Sequence, residues 1–296
     1  MIIKFHGVRG SYPVPGKDTV KYGGNTTCVS FTTIHDGKLS RIIIDSGTGI
    51  VQLGKDIITN FFAKKESLDV NILFSHLHPD HLGGFNFLPV NFFKGATINL
   101  YGMKALGSGI EQAMEAQFSP PTFPIEYFTL KSNRVHHVVS DGDVLLFPGF
   151  VVTVMQAYAP SHPQQGATYY RIGECSSNKS VACIWDNESK VGGDKAVINF
   201  SKGCDVMIHD TQYTKEEYES SKMVVQGFGH STYDMAIENA IQAGARKLIC
   251  THFNPSHDDV KLDEIQQKYS DIHGLHAREH PNLPVVLAQE GVEIEI

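Results

Sequence analysis

The sequence predicts an α/β fold, and three observations carry that expectation. Short apolar, β-branched runs alternate with segments of helical composition along most of the chain. The 296 residues are 41% hydrophobic and 19% charged, which is enough apolar matter for a sizeable core. Ligand-type side chains follow directly on apolar runs, at the strand ends where α/β proteins commonly place their sites. No Pro/Ser/Gly linker and no repeat divides the chain, so residues 1–296 are expected to form a single domain.

In chain order, residues 1–5 read as a strand, followed by the turn-rich Gly7-Val8-Arg9-Gly10-Ser11-Tyr12-Pro13 and Tyr22-Gly23-Gly24-Asn25-Thr26. Residues 28–34 and 41–44 form a strand pair about the turn at Asp36-Gly37. Asp45-Ser46-Gly47-Thr48-Gly49 permits tight backbone and leads into a helix over 50–62. Strands are expected over 70–74 and 96–101, and a helix over 105–117. The Pro- and aromatic-rich stretch 118–128 reads either as a stiff crossover or as a lid in which Phe118, Phe123 or Tyr127 lines a pocket. Strand-like runs continue over 135–139, 144–147 and 151–158. A turn at 161–166 then opens a strand ending Tyr170-Arg171-Ile172, and another strand covers 180–185. A short helix follows Gly193, a strand covers 204–208, and a helix capped by Ser231 or Thr232 covers 233–243. The last core strand spans 247–251, a helix runs from Ser256 to about Tyr269, and 284–296 make two short strands at a sheet edge. The apolar run 85–93 is read as core, as a pocket lip or as the contact of a homodimer.

The densest chemistry lies in Ser75-His76-Leu77-His78-Pro79-Asp80-His81. In extended chain, residues two apart share a side, so His76 and His78 can reach one metal ion. Pro79 keeps His78 extended. The chain then turns into a helix whose first turn holds Asp80 and His81. Pointing differently from the first pair, these suit a second ion roughly 3.5–4 Å away, as in two-metal sites.

At His-x-His-x-Asp-His the chain resembles the metallo-β-lactamase superfamily. The Gly7–Ser11 and Gly23–Thr26 stretches, the Asp45-x-Gly-x-Gly opening and Gly229-His230-Ser231-Thr232 resemble its phosphodiesterase side, namely tRNase Z and small phosphodiesterase relatives. The resemblance covers nearly the whole chain. It implies a four-layer αββα sandwich, with two mixed β-sheets face to face, helices on both outer faces and the metals at one edge.

The resemblance also implies a ligand set. His162, in Ser161-His162-Pro163, matches the third metal motif and completes a first site with His76 and His78. Asp80, His81 and His252 form the second, with Asp210 as the aspartate shared by both ions. Asp45 is expected to order the metal loop rather than bind metal. Relatives often carry Thr-Asp-x-Glu where this chain has Trp185-Asp186-Asn187-Glu188, so Asp186 is read as supporting or structural. His209 should point away from Asp210 along an extended strand. His230 corresponds to a histidine that acts on the leaving oxygen or the scissile phosphate.

All these ligands are nitrogen or oxygen, which suits two divalent metal ions, Zn²⁺ first and Mn²⁺ or Fe²⁺ as alternatives. A water between two such ions loses a proton near neutral pH. Asp80 would orient that hydroxide or take its proton, and His230 would protonate the leaving group. The reading is a dinuclear-metal-dependent hydrolase, a phosphodiesterase acting on a small phosphodiester or cyclic nucleotide. The alternatives are a tRNase Z-like RNA 3′-end endonuclease, a lactonase or thioesterase, and a non-catalytic metal-dependent metabolite-binding protein. The formal charge of −7, with no Lys/Arg-rich insertion, argues against a broad nucleic-acid surface. Five scattered cysteines without a Cys-x-x-Cys pair, no signal-peptide pattern and no long apolar run point to a cytoplasmic protein without a membrane partner.

Overall fold

The computed structural model describes residues 1–104, 109–157, 166–270 and 283–296. The first half of the chain builds one sheet. Strands β1 (Ile2–Gly7), β2 (Cys28–His35) and β3 (Lys38–Ile44) are antiparallel neighbours. Helix α1 (Ile50–Lys64) then crosses to β4 (Val70–Leu73), parallel to β3. The one-turn helix α2 (Pro79–Leu82) and two 3-10 turns, Phe85–Phe87 and Pro89–Phe92, precede β5 (Thr97–Met103). Helix α3 (Ile110–Gln117) and a 3-10 turn at Tyr127–Thr129 precede β6 (Asn133–Val139), and β4, β5 and β6 run parallel.

The second half repeats this plan. Strands β7 (Val144–Phe147), β8 (Phe150–Ala157) and β9 (Ala167–Glu174) are antiparallel, and β9 pairs antiparallel with β10 (Ser180–Ile184). Next come α4 (Lys195–Phe200), β11 (Val206–Asp210), α5 (Lys215–Tyr218), α6 (Tyr233–Ala243), β12 (Leu248–Thr251), α7 (Asp259–Ser270) and β13 (Val285–Leu287). Strands β10 to β13 are parallel. The last strand, β14 (Glu293–Glu295), returns to pair with β1. The sheet orders are β14-β1-β2-β3-β4-β5-β6 and β13-β12-β11-β10-β9-β8-β7.

Inward-facing residues of both sheets form one buried cluster, in which Phe5, Phe31 and Ile44 of the first meet Val152, Ile172, Cys183 and Ile208 of the second. Burying each such large side chain contributes about 1.5–3 kcal/mol. Ala236, Ile237 and Ala240 of α6 and Leu262 and Ile265 of α7 extend that cluster on the outer side of the second sheet. A second cluster joins Ile43, Ile72 and Ile98 to Leu53 and Ile57 of α1 and to Ile110 and Met114 of α3. Helices therefore cover both outer faces, and the four layers are those of the metallo-β-lactamase fold.

Local signals account for the helix ends. Thr232 caps α6 by accepting the Met235 N–H at 3.2 Å, and Gly244 closes it in a left-handed conformation. Asp258 accepts the Lys261 N–H at 2.8 Å at the start of α7.

The tail departs from the sequence reading for a physical reason, and two stretches that the sequence leaves open take definite positions. The two tail strands do not share an edge: β13 extends the second sheet and β14 the first, because β12 and β1 each have an open side there. The stretch 118–128 packs as core at both ends, since Phe118 and Tyr127 are buried in the second cluster, and the Tyr127 hydroxyl pairs with His136 Nε2 at 2.8 Å. In the run 85–93, Phe85, Leu88 and Val90 are buried while Phe87 and Phe92 are exposed. Among the described residues no helix is long and apolar enough to cross a membrane. All five cysteines are free thiols.

Candidate metal centre

The parallel strands of both sheets end at one edge of the sandwich. There β3 delivers Asp45, β4 delivers the Ser75–His81 loop, β10 delivers Asp186, β11 ends at Asp210 and β12 delivers His252. Asp45, His76, His81, Asp186, Asp210 and His252 are almost completely buried, Asp80 and His230 nearly so, and His78 is half-buried. Asp45, Asp186 and His252 adopt left-handed backbone, with φ of 59°, 48° and 62°. Such conformations cost of order 1–3 kcal/mol and persist where surrounding structure enforces them.

Asp45 sets the protonation of the histidine loop. Its Oδ1 accepts the Ser75 N–H at 2.8 Å. Its Oδ2 accepts the Ser75 hydroxyl at 2.7 Å and lies 2.7 Å from His81 Nδ1. An aspartate oxygen only accepts, so His81 Nδ1 carries a proton toward Asp45 and Nε2 faces inward. The Ser75 hydroxyl, having donated to Asp45, accepts from His76 Nδ1 at 3.1 Å, and His76 Nε2 likewise faces inward. The glycines of the Asp45 loop allow the close approach, since a Cβ on Gly47 would lie 2.3 Å from the Asp80 carbonyl oxygen.

The inward atoms converge. His81 Nε2 lies 3.2 Å from His252 Nε2 and 3.3 Å from Asp80 Oδ2. His252 Nε2 lies 3.2 Å from Asp80 Oδ2. The central carboxylate is Asp186: Oδ1 is 3.3 Å from His81 Nε2 and 3.2 Å from His252 Nε2, while Oδ2 is 3.2 Å from His76 Nε2. Among the described residues three sets have mutually close donor atoms: Asp80, His81, Asp186 and His252; His76, His78 and Asp186; and Asp186, Asp210, His230 and His252. Asp186 belongs to all three. Asp210, expected from sequence at the centre, faces mainly away from it. Its Oδ2 takes His230 Nδ1 at 2.8 Å and the Asn187 N–H at 3.3 Å, its Oδ1 takes the Gln212 N–H at 3.0 Å, and His252 Nδ1 stands 3.7 Å off. His209 points away, as expected, with Nε2 on the Asn239 amide. His162 lies outside the described residues.

In the sequence Asp186 is signalled by an Asp-x-Glu directly after a buried strand, with Trp185 where relatives often carry Thr. Trp185 is simply buried in the inter-sheet core.

The N-terminal glycine motif closes one side. Arg9 is fully buried, and its guanidinium donates to the Gly23, Asn254 and His257 carbonyls, tying the loop to the segment after His252. Gly10 lies so close to the His252 ring that a Cβ there would sit 2.5 Å from Nδ1. Ser11 donates its N–H to Asp80 Oδ2 at 2.8 Å.

The donor set fits divalent cations. Inward nitrogens of His76, His81 and His252 face carboxylate oxygens, and among the described residues no lysine or arginine forms an ion pair with Asp45, Asp80, Asp186 or Asp210. Burying such acceptors against one another is costly unless a cation lies among them. Burial opposes charge on Asp80, yet His81 and His252 hold its carboxyl well below the usual range. Burial likewise disfavours a proton on His81, yet Asp80, Asp186 and Asp45 together raise its pKa well above the ordinary value. Burial, then His81, keeps His76 neutral, the form that ligates metal. The site thus draws positive charge toward its centre.

Comparison with known proteins agrees with the fold. A sequence profile described as "Beta-lactamase superfamily domain" matches residues 40–253. Ribonuclease Z of Brevibacillus brevis is 24% identical over 234 residues, covering 65% of this chain and 70% of that protein. The metallo-beta-lactamase fold protein YhfI from Bacillus subtilis superposes with a TM-score of 0.66 at 18% identity, over 100% of this chain and 99% of the other. A diphosphatase from the PhnP family superposes with a TM-score of 0.61 at 18% identity, over 100% and 97% of the two chains.

Proposed function

The chain belongs to the beta-lactamase superfamily, and from that premise we propose that it is a dinuclear-metal-dependent phosphodiesterase acting on small phosphodiesters or cyclic nucleotides. His76 and His78 on one side, and Asp80, His81 and His252 on the other, would hold two divalent ions, Zn²⁺ in the first instance, with Asp186 between them. His162 is proposed to join the first group. When bound, such ions supply Lewis acidity at a phosphoryl oxygen and acidify water at neutral pH.

The chain's own groups supply the proton handling. Asp80 stays anionic, fixed by the Ser11 N–H, and is placed to accept and direct a proton from the attacking water. The observation that carries the reading is the Asp210–His230 pair, 2.8 Å apart and next to the cluster, with the His230 ring stacked on His252 at 5.0 Å between centroids. Two backbone N–H groups fix Asp210, so it holds His230 at Nδ1 and sets the direction of Nε2. His230 would then deliver its Nε2 proton to the departing oxygen. An alkoxide leaving group needs such an acid. An activated acyl centre has less use for it.

The names of two similar proteins, a ribonuclease and a diphosphatase, both denote phosphorus–oxygen chemistry and support this reading. The same ribonuclease Z similarity favours RNA 3′-end cleavage as the second reading, against a net charge of −7.

The test is turnover of bis(p-nitrophenyl) phosphate, cyclic nucleotides, a precursor tRNA, lactones and thioesters, in parallel with metal analysis. We expect phosphodiester turnover that falls by roughly 100-fold or more in His230→Ala on substrates with an alkoxide leaving group. Turnover confined to lactones or thioesters, with His230→Ala fully active, defeats the proposal. Cleavage of precursor tRNA in preference to small diesters selects the nuclease.

A further inference from the structure

Met223, Val224 and Phe228 are exposed, and Val225 is the buried exception among the hydrophobic residues of 219–229. Gly227 and Gly229 take left-handed backbone, with φ of 85° and 89°, so the peptide plane before His230 is set by hydrogen bonding rather than by side-chain sterics. Those hydrogen bonds converge on one carboxylate. Glu188 Oε1 accepts the Gly227 N–H at 2.8 Å and the Tyr218 hydroxyl at 2.7 Å, and Oε2 accepts the Gly229 N–H at 2.9 Å. On the other side of His230, the Ser231 hydroxyl donates to the Asn187 carbonyl and accepts the Ser189 N–H at 3.0 Å. The turn that carries Asp186 therefore grips His230 from both flanks.

We propose that Glu188 is a positioning residue for His230: its carboxylate fixes the 227–229 backbone, and through it the direction from which the imidazole meets the leaving oxygen. The inference rests on the reading of His230 as proton donor. Charge on Glu188 strengthens its bonds to the three donors, and no other described side chain holds both glycine N–H groups.

The test compares an activated diester, bis(p-nitrophenyl) phosphate, with a dinucleoside monophosphate, whose alkoxide leaving group requires a proton. In Glu188→Ala, kcat on the dinucleoside monophosphate is expected to fall about tenfold or more, while bis(p-nitrophenyl) phosphate turnover stays within about threefold. Amide exchange at Gly227 and Gly229 in metal-free protein should quicken by at least about tenfold. If Glu188→Ala does not fold, Glu188→Gln, which keeps one acceptor oxygen, should show the same selective loss to a smaller degree. Equal losses on both substrates, or unchanged exchange at the two glycines, overturn the proposal. His230→Ala separates the two levels of inference. If it too lowers both substrates equally, the proton-donor reading fails and takes this proposal with it. If it discriminates between them and Glu188→Ala does not, only the role of Glu188 fails.

Discussion

Asp186 brings its Oδ1 to 3.2 Å from His252 Nε2, reaching across the end of β11, which separates their two strands. Asp210, at the end of that intervening strand, turns to His230 instead. Asp186→Asn should therefore weaken metal binding more than Asp210→Asn does. Metal content by elemental analysis after dialysis is expected to drop from two ions per chain in the first variant and to change little in the second. The reverse ranking would return the shared position to Asp210.

Asp45 touches no inward donor, yet it dictates which nitrogen of His81 carries the proton. Asp45→Ala should lower metal affinity roughly 10- to 100-fold, the usual loss when a ligand's outer partner is removed. Competition with a chromogenic chelator measures it, and an unchanged constant would mean that His81 is oriented by packing alone.

Gly10→Ala should disturb the same centre from the opposite side. A methyl 2.5 Å from the His252 ring forces that ring or the 7–11 loop to move. Overpacking of this kind costs typically about 1–3 kcal/mol, and the loss should appear in the urea midpoint together with reduced metal content. A variant with wild-type values for both would show that the loop shifts freely.

Chelation should lower thermal stability. Without cations, the Asp80 and Asp186 carboxylates crowd together against His81 and His252 in a buried volume. Melting temperature with EDTA is expected to fall and to recover on adding back Zn²⁺, because a ligand that binds only the folded chain stabilises it. Identical melting curves would argue that the centre is preformed and indifferent to metal.

His6 gives a pH signature independent of the metal centre. It is buried under the first sheet with Nε2 on the Ser30 hydroxyl, and burial, aided by Lys4 and Arg41, lowers its pKa from 6.5 to about 3. The folded value lies below the unfolded one. Neutral His6 therefore contributes its full stability above pH 6.5, and this is lost as pH falls toward 3, by up to about 1.4 kcal/mol per pH unit. The stability difference between wild type and His6→Gln should shrink between pH 7 and pH 4. Parallel pH profiles would show that His6 titrates normally in the folded chain.

Much of the architecture was legible because its signals are local. The strand at 70–73 and the bend at Pro79 place His76, His78, Asp80 and His81 within one strand end and one helical turn, so side-chain period alone predicts their directions. The caps at Thr232 and Asp258 are read from residue type and position in the same way. The one-turn helix at 215–218 is absent from the sequence reading. It depends on the reciprocal bonds of Thr214 and Glu217, and it is too short for any apolar period to emerge.

By itself, the sequence determined that an α/β chain carries a histidine- and aspartate-rich centre at its strand ends, since residues adjacent in the chain must be adjacent in space. Only the tertiary structure decided which aspartate stands at the middle. Asp186 and Asp210 follow neighbouring parallel strands, and sequence spacing treats them alike. A left-handed backbone at Asp186, φ 48°, and the capture of Asp210 by His230 send one carboxylate inward and the other aside. That choice comes from contacts between segments far apart in the chain, which local periodicity does not encode.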